Sequence, residues 1–212
     1  MTAADKEHSL SPLVHILDDD QAVLESLALL ISTVGLRVHT WSDPQLFYEQ
    51  LNRDDIGVIV MDVRMPGMSG LSLLDKLSTE RVDIPIIMLT GHGTVDMCRR
   101  AFKAGAMEFL EKPIDDELLL ETVQTAVRAH IQRRERLTAD VQSKHHYETL
   151  SEREKEVLKG IVDGLSNKAI ARQLDLSPRT VETHRANIFN KLHIDNLAHL
   201  IRQYADLLNP LH

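Results

Sequence analysis

Four apolar stretches of the chain are each followed by polar residues whose types suit phosphoryl transfer. Asp18 and Asp19 follow the first stretch, Asp62 the second, Thr90 the third and Lys112 the fourth. Clustered carboxylates repel one another unless a cation lies among them, and oxygen ligands of this kind suit Mg²⁺. A carboxylate that attacks phosphorus gives an acyl phosphate, and a metal ion, an ammonium and a hydroxyl stabilise charge on the phosphoryl oxygens. The set therefore predicts an aspartate that accepts a phosphoryl group.

The elements that position these residues alternate between apolar strands and amphipathic helices. The helical patterns cover residues 21–34, 44–51, 71–78, 95–103 and the chain from 116 onward. This alternation predicts an α/β fold, in which a doubly wound, five-stranded parallel sheet is covered by helices on both faces. Polar residues that follow the strands of such a sheet converge at its carboxyl edge. We therefore expect Asp62 to be the nucleophile, with Asp19 and Asp62 as metal ligands and Asp18 supporting them.

Residues 12–130 resemble the receiver domain of two-component response regulators, because the separated elements agree with that family in order, spacing and strand context. The resemblance implies a flavodoxin-like fold with phosphorylation at Asp62. It also implies an acidic pocket formed by Asp18 and Asp19. Mg²⁺, or another divalent cation, would be bound by Asp19, Asp62 and the backbone carbonyl of Arg64.

The same resemblance implies a set of switch residues, which are Thr90, Phe109 and Lys112. It also implies a cis peptide bond between Lys112 and Pro113, a geometry that is mainly confined to proline. Phe109 departs from the family pattern, since other members carry tyrosine there. Its ring can still rotate inward, but it offers no hydroxyl for a hydrogen bond.

Other interpretations of these residues remain open. Aspartate is common in turns and at helix N-caps, and Asp20 is expected only to cap the helix that follows it. A phosphatase with an aspartyl-phosphate intermediate is one alternative, although one large phosphatase family needs an aspartate two positions after the nucleophile, where this chain has Arg64. A binding module that works without phosphorylation is the other alternative. Labelling of Asp62 and turnover of an added phosphate ester separate the three hypotheses.

The C-terminal part of the chain carries a second pattern, made of short helices. A capping-box start, with Ser151 three residues before Glu154, precedes apolar positions of helical period. A short helix over 168–174 and a turn lead to a helix over 179–192, which Ser177 and Pro178 can begin. Two short helices joined by a tight turn predict a helix-turn-helix, whose second helix enters the DNA major groove.

Residues 148–207 resemble the LuxR-type DNA-binding domain, on the segments 150–154, 164–168, 170–171 and 177–188. With the receiver-like part, the chain is similar to the FixJ/NarL family of transcription regulators. Its nearest likeness is to the FixJ branch, which includes nitrogen-fixation and tetrathionate-respiration regulators. The resemblance implies an all-α four-helix domain whose last helix, over 197–208, mediates dimerisation on DNA.

The residues in and next to the predicted recognition helix fall into three groups by their expected contacts. Apolar residues at the helical period are expected in the core, namely Val181, Ile188 and Leu192. Residues expected at base edges are Glu182, Thr183 and Ala186. Residues that offer charge or hydrogen bonds to phosphates are Lys168, Arg179, Thr180, His184, Arg185 and Lys191. His184 has an alternative role as a packed, hydrogen-bonded residue.

Composition agrees with two domains on one chain. The 212 residues exceed one typical domain, and 43% of them are hydrophobic. Residues 1–147 hold 15 basic against 23 acidic residues and account for the net charge of −8, whereas residues 148–212 are neutral with 9 of each. We predict an N-terminal tail over 1–11, a receiver over 12–130, a helical linker over 131–147 and the DNA-binding domain over 148–212.

Cysteine content and hydropathy indicate the cellular compartment in which the protein is expected. Cys98 is the only cysteine, which excludes an intrachain disulfide and fits a reducing compartment. No apolar run approaches the length of a membrane span, and residues 1–11 lack a signal-peptide core. We therefore expect a cytoplasmic protein with no membrane association.

The segment after residue 115 has a helical pattern longer than the sheet needs. A seam with spacings of four and three runs through Val123, Val127, His130, Arg134, Leu137 and Val141. It fits either an exposed interdomain linker, which we favour because two of the six are polar, or a weak coiled coil with a second copy. The neighbouring pair of histidines after it, at 145 and 146, is interpreted as solvated rather than metal-binding.

The resemblance implies a set of partners and a mechanism. A sensor histidine kinase would donate the phosphoryl group, and the phosphorylated receiver would form a homodimer through the face built from 95–103, 107–110 and the helix after 116. The unphosphorylated protein would be a monomer. Promoter DNA and RNA polymerase would be the further partners. The protein is not expected to be an enzyme, since it accepts and slowly loses a phosphoryl group on itself.

Overall fold

The computed structural model describes residues 11–208, apart from the side chain of Asp206. It divides into two compact units between Arg133 and Arg134. This division falls inside the segment 131–147 that the sequence suggests as a linker, and the bounds of the four segments stay a prediction. Of the predicted N-terminal tail, only Ser11 lies within the described residues.

The first unit contains a parallel sheet of five strands. They are β1 (Leu13–Leu17), β2 (Arg37–Trp41), β3 (Gly57–Asp62), β4 (Ile86–Thr90) and β5 (Glu108–Glu111). Their order is β2-β1-β3-β4-β5, and every pair is parallel. This is the flavodoxin-like order, so the predicted fold of this part is confirmed.

Helices cover both faces of the sheet. They are α1 (Gln21–Ser32), α2 (Pro44–Gln50), α3 (Gly70–Thr79), α4 (Val95–Lys103) and α5 (Asp116–Glu148). The central strand β3 is buried at all six residues, and its side chains alternate between two cores. Ile59 and Met61 pack into one core, and Val58 and Val60 into the other. Each such side chain contributes about 1.5–3 kcal/mol by burial.

Local signals in the sequence set several helix ends. The Asp20 carboxylate accepts the Ala22 N–H at 2.8 Å, so Asp20 is the predicted N-cap of α1. Asp43 caps α2, and Pro44 is its first residue. Predicted helix 21–34 is two residues too long, because Thr33 caps α1 and the chain turns before β2.

Helix α5 is 33 residues long, and the burial of its apolar side chains decreases along its length. Val123, Val127 and His130 are at most 4% exposed, whereas Leu137 and Val141 are 48% and 67% exposed. The predicted seam is therefore part of the sheet-packing face at its start and lies in solvent further on. His130 also contacts β3, since its Nδ1 lies 3.1 Å from the Gly57 N–H nitrogen.

The second unit contains, besides the end of α5, helices α6 (Glu152–Val162), α7 (Asn167–Leu174), α8 (Pro178–Lys191) and α9 (Leu197–Leu208). The predicted capping box is confirmed, because the Ser151 side chain and the Glu154 side chain each bond the other's backbone N–H. The core of this unit includes Val157, Leu158, Val181 and Tyr204. In α9, Leu200 and Tyr204 are fully buried, whereas Ile201 is 36% exposed.

The core of the second unit also depends on one glycine. A Cβ on Gly160 would lie 2.8 Å from Cγ1 of Ile170, so the absence of a side chain lets α6 and α7 approach. Within residues 11–208, the structure contains no helix long and apolar enough to cross a membrane.

Candidate functional site

The carboxyl edge of the sheet brings together three of the predicted residues. Asp62 is the last residue of β3, Asp18 follows β1 and Lys112 follows β5. The Lys112 Nζ donates to Asp18 Oδ2 and to Asp62 Oδ1, in both cases at 2.6 Å. A single ammonium therefore bridges two carboxylates that are separated by 44 positions in the sequence.

Both carboxylates are held on their second oxygen by backbone N–H groups. Asp18 Oδ1 accepts the Asp20 N–H at 3.0 Å, and Asp62 Oδ2 accepts the Arg64 N–H at 2.5 Å. Asp18 is 2% exposed and Asp62 is 7% exposed. Asp62 is thus fixed in orientation while its carboxylate still reaches the surface.

Lys112 is ionised throughout the ordinary pH range. Burial alone would lower the pKa of its ammonium, but hydrogen bonds and charge attraction from Asp18 and Asp62 outweigh burial and raise the pKa above its usual value. The positive charge stabilises the two negative charges at close range, which is the arrangement that also suits an incoming phosphoryl group.

The residues predicted to bind a metal fit a Mg²⁺ site of modest size. Asp19 is exposed beside buried Asp18, and Arg64 presents its backbone next to the Asp62 carboxylate. Mg²⁺ is commonly held by one or two carboxylates and keeps several waters. No group of three or more histidine, cysteine or acidic side chains suited to a metal occurs within residues 11–208, so protein ligands alone would not enclose the ion.

Thr90, the last residue of β4, and Phe109 of β5 both lie against the loop that follows β4. Thr90 is fully buried, and its Oγ1 accepts the His92 N–H at 3.2 Å. A Cβ on Gly93 would lie 3.3 Å from both the Phe109 ring and the Thr90 methyl group. The loop therefore packs against both predicted switch residues. The Lys112–Pro113 peptide bond is cis, as predicted.

One residue that positions Asp62 was missed by sequence reasoning. A Cβ on Gly70 would lie 2.1 Å from the Asp62 carbonyl oxygen, and the Gly70 N–H donates to Val63 at 3.0 Å. The start of α3 therefore approaches the backbone of the acceptor aspartate closely. Residues 65–70 include one proline, one serine and two glycines, which is typical of a turn, but the spacing does not indicate which glycine makes the contact.

The second unit contains the predicted helix-turn-helix, built from α7 and α8. Asp175 ends α7 in the left-handed conformation, with φ 54° and ψ 50°. Ser177 caps α8 by accepting the Thr180 N–H at 3.0 Å, and Pro178 is the first residue of α8. These are the predicted roles of Ser177 and Pro178.

Most of the predicted DNA contacts lie on the outside of this unit. Val181, Ile188 and Leu192 are buried, as predicted. The exposed residues are Lys168, Arg179, Glu182, Thr183 and Ala186, and the half-buried ones are Thr180, His184 and Arg185. His184 has an enclosed Nδ1 with no hydrogen-bond partner in the described part of the chain, so this nitrogen does not make the hydrogen bond of the alternative, packed role.

Lys191 has an additional contact inside the protein. Its Nζ donates to Oε2 of Glu154 at 2.7 Å, and Glu154 is only 4% exposed. The ion pair ties the end of α8 to the start of α6. Burial alone would raise the pKa of Glu154, but the Lys191 ammonium and the Ser151 donors outweigh it and lower the pKa.

Replacing Glu154 by glutamine is expected to remove an acid-sensitive part of the stability. The folded-state pKa lies below the ordinary value of 4.5. The ionised carboxylate therefore stabilises the second unit above about pH 4.5, and this contribution is lost as the pH falls toward the folded pKa. At pH 7 the variant should lose about 1.5 kcal/mol. Urea unfolding followed by circular dichroism measures it, and fluorescence of Trp41 reports the first unit separately.

The matched control for this prediction is Glu156→Gln. Glu156 pairs with Arg153 at 2.8 Å, but its side chain is 47% exposed. Exposed pairs contribute little, so this variant should behave like the wild type. Equal losses of stability in the two variants, or a Glu154→Gln protein as acid-sensitive as the wild type, would contradict the assignment.

Comparison with known proteins agrees with both halves of the chain. The profile of the response regulator receiver domain matches residues 14–124. The profile of the LuxR family of bacterial regulatory proteins matches residues 148–204. The fold and the site thus define a receiver domain followed by a LuxR-type DNA-binding domain.

Named relatives align with this chain over nearly their whole length. The response regulator protein TodT of Pseudomonas putida is 40% identical over 199 residues, covering 94% of this chain and 88% of TodT. The transcriptional regulatory protein FixJ of Bradyrhizobium diazoefficiens is 38% identical, covering 92% of this chain and 97% of FixJ. The solved structure of the response regulator StyR has a TM-score of 0.77 and 37% identity, covering 92% of this chain and 99% of StyR.

The chain belongs to the response regulators of the FixJ/NarL family. Its two domains indicate a transcription regulator, which agrees with the names of its FixJ relatives. A receiver domain implies a sensor kinase as partner, and the LuxR-type domain implies DNA. Receiver domains generally bind Mg²⁺ at the site of phosphorylation.

Proposed function

We propose that this protein is switched by phosphorylation of Asp62, which a sensor histidine kinase supplies, and that the switched form dimerises and binds promoter DNA. The single observation that carries the proposal is the bridge from Lys112 to Asp18 and Asp62. It places a fixed positive charge against Asp62, the aspartate that ends β3. If Asp18 and Asp62 were only solvated helix caps, the two carboxylates would not need to share the half-buried ammonium of Lys112.

The transfer step requires little covalent chemistry from the protein. An oxygen of the Asp62 carboxylate attacks the phosphorus atom, so a P–O bond forms while the bond from phosphorus to the kinase histidine nitrogen breaks. Lys112 stabilises the charge on the phosphoryl oxygens, and its two short hydrogen bonds hold it in place before the reaction. Backbone contacts from Arg64 keep the nucleophile oriented.

Asp19, Asp62 and the backbone carbonyl of Arg64 would hold the divalent cation. When bound, Mg²⁺ would neutralise charge on the phosphoryl group and the acidic pocket. Asp18, which already accepts two hydrogen bonds, would support the site without needing to be a direct ligand. The modest number of side-chain ligands leaves room for the phosphoryl oxygens.

The switch would act through Thr90 and Phe109. The phosphoryl group offers new acceptor oxygens, so the Thr90 hydroxyl would move from its contact with His92 toward them. Movement of Thr90 frees space beside Gly93, into which the Phe109 ring can turn. The face formed by α4, β5 and the start of α5 would then rearrange, since it joins directly to this loop.

That face already carries apolar side chains in contact with solvent. Val95 is 75% exposed, Phe102 46%, Met107 37% and Leu118 48%. Dimerisation of phosphorylated receivers through this face would cover them. A two-fold dimer would bring two recognition helices to neighbouring half-sites of a two-fold operator. RNA polymerase would be the next partner at the promoter.

Replacing Asp62 by asparagine tests the switch. We expect wild-type protein to become dimeric when incubated with Mg²⁺ and a small-molecule phosphodonor, and the variant to stay monomeric, because the amide cannot form the acyl phosphate. Light scattering coupled to size exclusion measures the mass. Wild-type and variant proteins that dimerise equally under the donor would contradict the proposal.

Enzyme activity on a separate substrate is the second function to exclude. The residue two positions after Asp62 is Arg64, which cannot act as the general acid of an aspartyl-phosphate phosphatase. One cavity of the first unit, of about 500 Å³, lies near the amino ends of β4 and β5 and not at Asp62. We propose that the phosphoryl group is lost only by slow hydrolysis on the protein itself.

A further inference from the structure

The outward face of α8 can be located from the residues that it buries. Val181, Ile188 and the cap residue Leu192 are at most 2% exposed, so they mark the side facing the core. Successive residues of an α-helix are about 100° apart. The line opposite the buried side passes through Arg179, Thr183, Ala186 and Asn190, all of which are exposed.

Asn190 is the member of this line whose side chain has no role so far. Its backbone carbonyl accepts the Leu192 and His193 N–H groups at the end of α8. Its side-chain amide has no hydrogen-bond partner within residues 11–208, and the residue is exposed. Asparagine offers an acceptor and two donors on one plane, the set that pairs with N6 and N7 of adenine in the major groove.

The position of Asn190 along the helix fits base contact. It lies one helical turn beyond Ala186 and seven residues beyond Thr183. Seven residues span about 10.5 Å of helix axis. A recognition helix lies across the inclined major groove, and in zinc fingers helix residues −1 and 6 contact bases two steps apart, so this distance corresponds to about two base pairs.

We propose that Asn190 reads an adenine about two base pairs from the position contacted by Thr183. The proposal rests on the proposed function, since it requires α8 to lie in the major groove. It adds a specificity-determining residue to Glu182, Thr183 and Ala186, and it names the base that this residue selects.

The chain contains a matched control on the same helix. Asn187 has the same side chain, is exposed and has no side-chain partner in the part of the chain that the structure describes. It lies about 60° around the helix from the outward line. Because it lies on the side of that line away from Glu182, Asn187 is farther around the helix than Asn190 from the residues expected at base edges.

The experiment uses the full-length chain, phosphorylated with a small-molecule donor in Mg²⁺. Wild type, Asn190→Ala, Asn187→Ala and Arg185→Ala are each incubated with a library of random duplex DNA, and the bound sequences are determined. Affinity for the wild-type site is then measured against salt concentration. Circular dichroism checks that each variant is folded.

We expect the Asn190→Ala site to equal the wild-type site except at one position, where the preference for adenine falls by about 5- to 150-fold. Its salt dependence should not change. Asn187→Ala should keep the adenine preference. Arg185→Ala should keep the whole sequence preference but lower the salt slope by about 1, as expected for a phosphate contact.

Three results would overturn the assignment. The Asn190→Ala protein selects the unchanged site, or it binds all sequences more weakly with a reduced salt slope, or Asn187→Ala loses the adenine preference instead. Each of these outcomes removes Asn190 from the base-reading residues. Failure of the wild type to select any sequence is a different result. It would reject DNA recognition by α8 itself, and the inference with it.

Discussion

Replacing Lys112 by alanine is expected to slow phosphorylation of Asp62 by about 10²- to 10³-fold, the range for loss of one fixed donor to a developing oxyanion. The ammonium is 2.6 Å from both Asp18 and Asp62, and neither carboxylate has another cationic side chain at that distance among the described residues. Its loss leaves two buried negative charges facing the incoming phosphoryl group. The rate of adduct formation with a small-molecule donor, followed by intact mass, measures the effect.

Two comparisons make this result specific to the site. Lys103→Ala removes an exposed lysine from the end of α4 and should leave the rate unchanged. Mg²⁺ affinity of Lys112→Ala, measured by calorimetry, should be equal to that of the wild type or tighter, because a competing cation has been removed. A Lys112→Ala protein that is phosphorylated within about threefold of the wild-type rate would remove Lys112 from its role.

Gly57→Ala is expected to destabilise the first unit by about 3 kcal/mol or more. A Cβ at this position would lie 1.8 Å from the Leu13 carbonyl oxygen, so the backbone of β1 or β3 must move. The Gly57 N–H also contacts Nδ1 of His130, which connects the strand to α5. Urea unfolding followed by Trp41 fluorescence reports the first unit alone, since Trp41 is the only tryptophan.

Gly91→Ala is the matched control for this substitution. Nothing lies within 4 Å of a Cβ built on Gly91, so the expected change is within about 0.5 kcal/mol. If the two alanine variants unfold at the same urea concentration, the close approach between β1 and β3 does not limit stability.

Much of the fold follows from periodicity and helix-end residues. The runs at β1, β3 and β4 are apolar because both faces of a central parallel strand are buried, and this makes them visible in the sequence. Strand β2 lies at the edge, and four of its five residues are at least partly exposed. Its sequence therefore lacks a continuous apolar run. The position of β2 in the sequence can be inferred only from the helical patterns on either side of it.

The site was predictable to the extent that its residues end strands. Asp18, Asp62 and Lys112 meet because parallel strands bring their carboxyl ends to one edge. Contacts that depend on exact side-chain distance were not predictable. The pairing of Lys191 with buried Glu154 joins residues 37 positions apart, and a pattern of helical spacing carries no information on it.

The central claim is that Asp62 accepts a phosphoryl group. Intact mass after incubation with Mg²⁺ and a small-molecule phosphodonor tests it most directly, with Asp62→Asn as the comparison. We expect one phosphoryl group on the wild type and none on the variant. Absence of an adduct on the wild type, when a known receiver is phosphorylated under the same conditions, or an equal adduct on Asp62→Asn, would contradict the account.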